Sequence, residues 1–174
     1  MDEYQLSSFI GKKVQIDRGG PESKKGVIVG LGLDYLVLYT KDEGYIYYYI
    51  EHIKSITLSN EDNAPYEEIV SEFQLLGPLP ETLKEIITSK KYKLIQINRG
   101  GPEKVRGILA EIFENYVAIV SKEKVVLVVY AHIKNVSFPA ETPEEINEGQ
   151  QEEAAARRDD AKKQNKGKNQ KTKK

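Results

Sequence analysis

The sequence predicts a mainly β protein: a tandem pair of small SH3-like or Sm-like five-stranded barrels with short connecting helices and a disordered, charged C-terminal tail. Three observations predict it. A segment of about 45 residues occurs twice in the 174-residue chain. Within each copy, short runs rich in Val, Ile, Leu and Tyr are punctuated by turn residues. From about Pro139 the apolar pattern stops.

The repeat aligns VQIDRGGPESKKGVIVGLGLDYLVLYTKDEGYIYYYIEHIKSITL with IQINRGGPEKVRGILAEIFENYVAIVSKEKVVLVVYAHIKNVSF. The offset is 81 at Arg18/Arg99 and at Tyr35/Tyr116. It falls to 80 at His52/His132, because KDEG in the first copy has become KEK in the second. The division that follows is residues 1–60 for the first repeat, 61–78 for a linker with a short helix, 79–139 for the second repeat and 140–174 for the tail.

Each element has a local reason. VQID, GVIVGLG, YLVLYT, YIYYYI and SITL read as five strands, which suits a small, strongly bent barrel. Gly30 and Gly32 are expected inside the second strand, where a missing side chain permits a bend. HIK before the last strand fits a single helical turn. Such thin barrels are expected to pack on each other. Between the copies, PYEEIVSEFQLL and LPETLKEIITSK carry apolar residues at helical spacing. The second of these helices is expected on the second repeat, and residues 3–10 on the first.

The fourth strand is informative. In YIYYYI, Tyr45, Tyr47 and Tyr49 share one face, with Ile46, Tyr48 and Ile50 on the other. Its counterpart VVLVVY, Val125 to Tyr130, is apolar on both faces. Strands of that kind are usually buried on both, so this strand is expected at a contact between the repeats or between chains. Base stacking on the tyrosines is the competing reading, but the surrounding repeat is not basic and the second copy loses nearly all of them. Eleven tyrosines are also a supply for oxidative cross-linking.

Little in the chain points to catalysis. With no cysteine, disulfides, thiolate zinc sites and cysteine nucleophiles are excluded. His52 and His132, the only histidines, sit at equivalent positions without ligand-spaced partners, and read as turn-closing side chains. No phosphate loop, nucleophile elbow or calcium loop occurs. No enzyme activity, cofactor or metal is therefore expected. No apolar run approaches the length of a membrane span, and the acidic start does not read as a secretory signal.

Two features remain as candidates for binding. The motif RGGPE occurs as Arg18, Gly19, Gly20, Pro21, Glu22 and as Arg99, Gly100, Gly101, Pro102, Glu103. Glycines that allow positive φ and a proline that fixes the next residue make it a hairpin turn, with the arginine and glutamate placed to pair across it. An anion-binding nest is the alternative. Lys24 and Lys25 would support it in the first copy, but Val105 takes the place of Lys24 in the second. The other feature is the tail. Residues 1–139 hold 17 basic and 19 acidic side chains, and the next 14 residues add six glutamates. Then Arg157, Arg158, Lys162, Lys163, Lys166, Lys168, Lys171, Lys173 and Lys174 stand against only Asp159 and Asp160. Such an arm attracts polyanions by charge neutralisation, and silicate surfaces are among the candidates.

The ordered set RGGPESKKG…DYLVL…HIKSI and RGGPEKVRG…NYVAI…HIKNV resembles the N-terminal region of the Bacillus spore coat protein B family, over roughly Gly11 to Phe138. The resemblance implies a structural protein made in the mother-cell cytoplasm and deposited in the spore coat, with other coat proteins as partners and a homo-oligomer as an option. Longer family members carry a C-terminal region rich in Ser, Lys and Arg that is phosphorylated. This tail has no serine, only Thr142 and Thr172, so that modification does not transfer. The competing function is an Sm-like nucleic-acid-binding module.

Overall fold

The computed structural model describes residues 3–58 and 66–139. The first copy comprises helix α1 (Glu3–Ser7) and strands β1 (Lys13–Ile16), β2 (Lys24–Leu31), β3 (Tyr35–Thr40), β4 (Gly44–Tyr49) and β5 (Ile56–Leu58). Helices α2 (Glu67–Gln74) and α3 (Leu83–Ser89) follow. The second copy repeats the pattern with β6 (Leu94–Ile97), β7 (Val105–Ile112), β8 (Tyr116–Ser121), β9 (Lys124–Val129) and β10 (Asn135–Ser137). Single helical turns, Ile50–His52 and Tyr130–His132, precede the last strand of each copy, at the two HIK sites. No helix among the described residues is long and apolar enough to cross a membrane.

All ten strands join one antiparallel sheet, in the order β5-β1-β2-β3-β4-β10-β6-β7-β8-β9. Each copy contributes the same internal order, with its fifth strand beside its first. The copies meet where β4 pairs with β10, in the register Asn135↔Tyr48, Val136↔Tyr47 and Ser137↔Ile46. The Tyr49 N–H extends this ladder to the Lys134 carbonyl at 3.0 Å.

Burial follows strand alternation. Val14, Ile16, Ile28, Leu36, Leu38 and Ile46 fill a cluster inside the first copy. Their counterparts Ile95, Ile97, Leu109, Val117 and Ile119 belong to a larger cluster that also takes Leu83, Ile86 and Ile87 from α3. That cluster includes Val27, Val29, Tyr35 and Val37, from the opposite face of β2 and β3. Strands β2 and β3 are thus apolar on both faces because both faces are covered, and the two copies share a core.

The helices are held by specific local chemistry. Thr82 and Glu85 form a reciprocal capping box at the start of α3. The Asp34 carboxylate accepts from the Leu83 N–H at 2.8 Å, and the Tyr35 hydroxyl donates to the Pro80 carbonyl at 2.7 Å, fastening α3 to the first copy. α1 buries Leu6 against the first copy.

The glycines of the second strand serve a different purpose from the one expected. A bulge lies between Ile28 and Gly30 in β2, and an equivalent one between Leu109 and Glu111 in β7, where no glycine stands. The bend therefore does not need glycine. A Cβ at Gly30 would come within 2.7 Å of Phe73 Cε1 and 2.9 Å of Leu79 Cδ1, so Gly30 lets α2 approach the sheet. Gly32 lies just past the end of β2.

Candidate functional site

The chemistry most concentrated in the described residues lies at the β4–β10 junction, where both RGGPE loops meet. Arg99 does not pair with Glu103 of its own loop. Its guanidinium takes both carboxylate oxygens of Glu43, in the β3–β4 turn of the first copy, with Nε donating to Oε2 at 2.9 Å. Lys24 Nζ reaches the same carboxylate at 2.8 Å and also pairs with Asp42. A fork-to-fork arginine–carboxylate pair fixes orientation as well as charge.

Glu22, from the first loop, crosses to the second copy. Its carboxylate accepts from the Gly100 N–H at 3.3 Å and from Asn135 Nδ2 at 3.1 Å. Gly100 has the room for this approach only because it lacks a side chain: a Cβ there would sit 2.2 Å from the Pro21 carbonyl oxygen. Glu103 pairs instead with Lys134. Arg18, the counterpart of Arg99, is exposed and makes no ion pair among the described residues. The expected arginine–glutamate pair forms in neither turn: Arg99 and Glu22 reach across to the other repeat, and Glu103 pairs within its own.

Electrostatics follow these contacts. Hydrogen bonding from Arg99, then from Lys24, holds the Glu43 carboxyl below the ordinary glutamate range against its partial burial. Lys24 does the same for Asp42. Burial pushes the Tyr48 phenol up to about 12, outweighing the pull of the adjacent Arg99. Arg99 and Lys24 are committed to protein carboxylates, which leaves the nest reading exposed Arg18 and Lys25 beside the positive-φ Gly19 and Gly20.

The tyrosines of β4 are spent on packing. Tyr45 lies against Phe73 at a ring-centroid distance of 4.9 Å, and Tyr47 against Phe138 at 5.8 Å. On the other face Ile46 and Tyr48 are buried. β4 therefore sits at a contact between repeats, as its pattern predicts. Its counterpart β9 does not: Val125, Leu127 and Val129 are 64%, 60% and 46% exposed.

Other candidate places carry less. His52 lies edge-on to Tyr49 with its Nε2 3.5 Å from Glu51. Among the described residues no three His, Asp or Glu side chains converge as metal ligands. An open cleft of about 510 Å³ is lined by Leu33, Asp34, Tyr49, Ile50, Glu51 and Ile53, with Asp34 already bound to α3. The tail bases, Arg157 to Lys174, lie outside the described residues.

Sequence reasoning missed two sets of residues. Asp17 and Asn98, the positions just before RGGPE, both take positive φ, 50° and 53°. Each accepts the N–H that opens the last strand of its copy, Lys54 or Lys134, at 2.8 Å. An Asp and an Asn at equivalent positions before two glycines was the available signal. Glu43, in the KDEG turn of the first copy, was the other.

No family model matches the chain. Among curated proteins it is similar to spore coat protein B of Bacillus subtilis (strain 168), with 38% identity over 134 residues. That match covers 76% of this chain and 34% of the relative, so the chain spans about a third of the relative's length. With a match of this extent, the chain belongs to the spore coat protein B family.

Proposed function

We propose that the protein is a structural component of the spore coat, reached after synthesis in the mother-cell cytoplasm. The observation that carries this reading is the similarity to spore coat protein B. In this reading residues 1–60 and 79–139 act as two SH3-like barrels that serve assembly, joined by the 61–78 linker. Other coat proteins are the partners. The basic arm from Arg157 to Lys174 holds anionic partners or surfaces, silicate among them, and favours silica deposition by concentrating the anion at its amines.

The junction chemistry supports a structural role. Charged groups that in a binding site would face a ligand are here directed at each other, from Arg99 to Glu43 and from Glu22 to Gly100 and Asn135. Localisation tests the proposal. A fluorescent fusion of the full chain, expressed from its own promoter, is expected to form a shell around the developing spore and to stay with purified spores. Diffuse fluorescence in the mother cell through spore maturation would refute it.

A further inference from the structure

The sheet has two free ends, and they are the counterparts of the two strands that pair inside it. β4 and β10 form the internal junction; β9 corresponds to β4, and β5 corresponds to β10. Among the described residues β9 pairs only with β8, and β5 only with β1. We propose that the chain self-associates head to tail, the β9 edge of one copy adding to the β5 edge of the next and repeating the β4–β10 junction.

Burial makes the argument. β10 is buried at all three positions, whereas β5, its counterpart, has Thr57 and Leu58 exposed. β4 has no exposed position, whereas β9 is exposed at Lys124, Val125, Leu127 and Val129, the counterparts of half-buried Gly44, Tyr45, Tyr47 and Tyr49. The junction is the difference between the members of each pair. Free edges in soluble proteins are normally shielded by charge, proline, bulges or shortness. β9 instead offers Val125-Val126-Leu127-Val128-Val129, in continuous register with β8 and with no bulge.

The repeat offset sets the register. Asn135↔Tyr48, Val136↔Tyr47 and Ser137↔Ile46 become Ser55↔Val128, Ile56↔Leu127 and Thr57↔Val126 between copies. The Tyr47–Phe138 ring contact becomes Leu127 against Leu58, an apolar pair in place of an aromatic one. Arg18, exposed in the single chain, takes the place of Arg99 and faces Glu123 of the adjoining copy, which follows Lys122 in the shortened turn. Each copy carries one edge of each kind at opposite ends of the strand order. The contact is therefore heterologous, and gives a ring if its rotation closes and a filament if it does not.

This inference rests on the sheet alone and stands or falls separately from the coat assignment. The test uses purified full-length protein in sedimentation velocity over a dilution series. Wild type is expected at multiples of the 19.7 kDa chain mass, with the mass falling on dilution. Leu127→Glu and Leu58→Lys each place a charge on an exposed side chain, and each alone should return the protein to one chain mass. Mixing the two variants should restore at least a two-chain species, because the unaltered β5 edge of the Leu127→Glu variant then meets the unaltered β9 edge of the Leu58→Lys variant. In a chain without native cysteine, Thr57→Cys with Val126→Cys should give a ladder of disulfide-linked multimers on oxidation, and Thr57→Cys with Lys124→Cys should not. Wild type fixed at one chain mass, association untouched by both charge variants, or no ladder from the in-register pair would each overturn the proposal.

Discussion

At the residue scale, Asn98 has the most demanding position in the described chain. It is buried, holds φ at 53°, accepts from the Lys134 N–H and donates from Nδ2 to the His132 carbonyl at 3.0 Å. Asn tolerates left-handed backbone better than most residues because its short polar side chain bonds locally. Asn98→Ala removes both bonds and leaves the partly buried Lys134 N–H and His132 carbonyl to water, while keeping a Cβ at positive φ. Each such bond contributes about 0.5–1.5 kcal/mol net, so we expect N98A to lower stability by about 2 kcal/mol in urea unfolding. Asn98→Gly relieves the backbone but not the lost bonds, and should recover roughly 1 kcal/mol of that loss. Equal stabilities for N98A and wild type would show that the side chain does not hold β10 in place. Asp17 makes the matching bond at the sheet's free edge, where water can replace it.

At the element scale, α2 approaches the sheet at one point. Phe73 is buried over Gly30, and Tyr45 lies against the same ring. Since the bulge persists in β7 with Glu111 at the equivalent site, Gly30 answers to the helix and not to the strand. Gly30→Ala places a methyl within 2.7 Å of a buried aromatic edge. Overpacking of that kind typically costs about 1–3 kcal/mol. Glu111→Ala removes only an exposed pair with Lys91 and should cost less than about 1 kcal/mol. Thermal unfolding of the two variants separates the accounts: similar losses would mean that the glycine serves the strand bend after all.

These elements also show how much of the fold was legible. Strand and helix positions were, since turn residues bracket each apolar run, and Pro65 and Pro80 flag helix starts. Strand partnership was not. β4 and β9 carry closely similar patterns, yet one pairs with β10 and the other is an edge, because position in the chain and not local sequence decides which copy is terminal. The same holds for Lys24 and Val105. Lys24 neutralises Asp42 and Glu43 at a junction that the second repeat, within one chain, has no occasion to form. The candidate site was half legible: RGGPE was singled out, but its contacts run to a turn 56 residues away.

At the scale of the whole molecule, charge is divided along the chain, and the division predicts a separable adsorption activity. Deleting Ala154 to Lys174 removes nine bases and two acids, which takes the formal net charge from -1 to -8. Among the described residues both core clusters lie before Pro139. The deletion therefore removes cationic attraction and leaves every residue of these clusters in place. Full-length protein is expected to adsorb to silica particles at low salt and to desorb as salt rises, since binding of a polycation to an anionic surface is driven by counterion release. The truncated protein, with a net negative charge facing a negative surface, should adsorb weakly at every ionic strength. Its thermal midpoint should match that of the full chain. Nucleic acid in place of silica separates general polyanion attraction from a preference for the mineral: an arm acting only through charge should bind both, with similar sensitivity to salt. Adsorption retained after truncation would instead place the surface chemistry in the repeats, where exposed Arg18 would be the first residue to substitute.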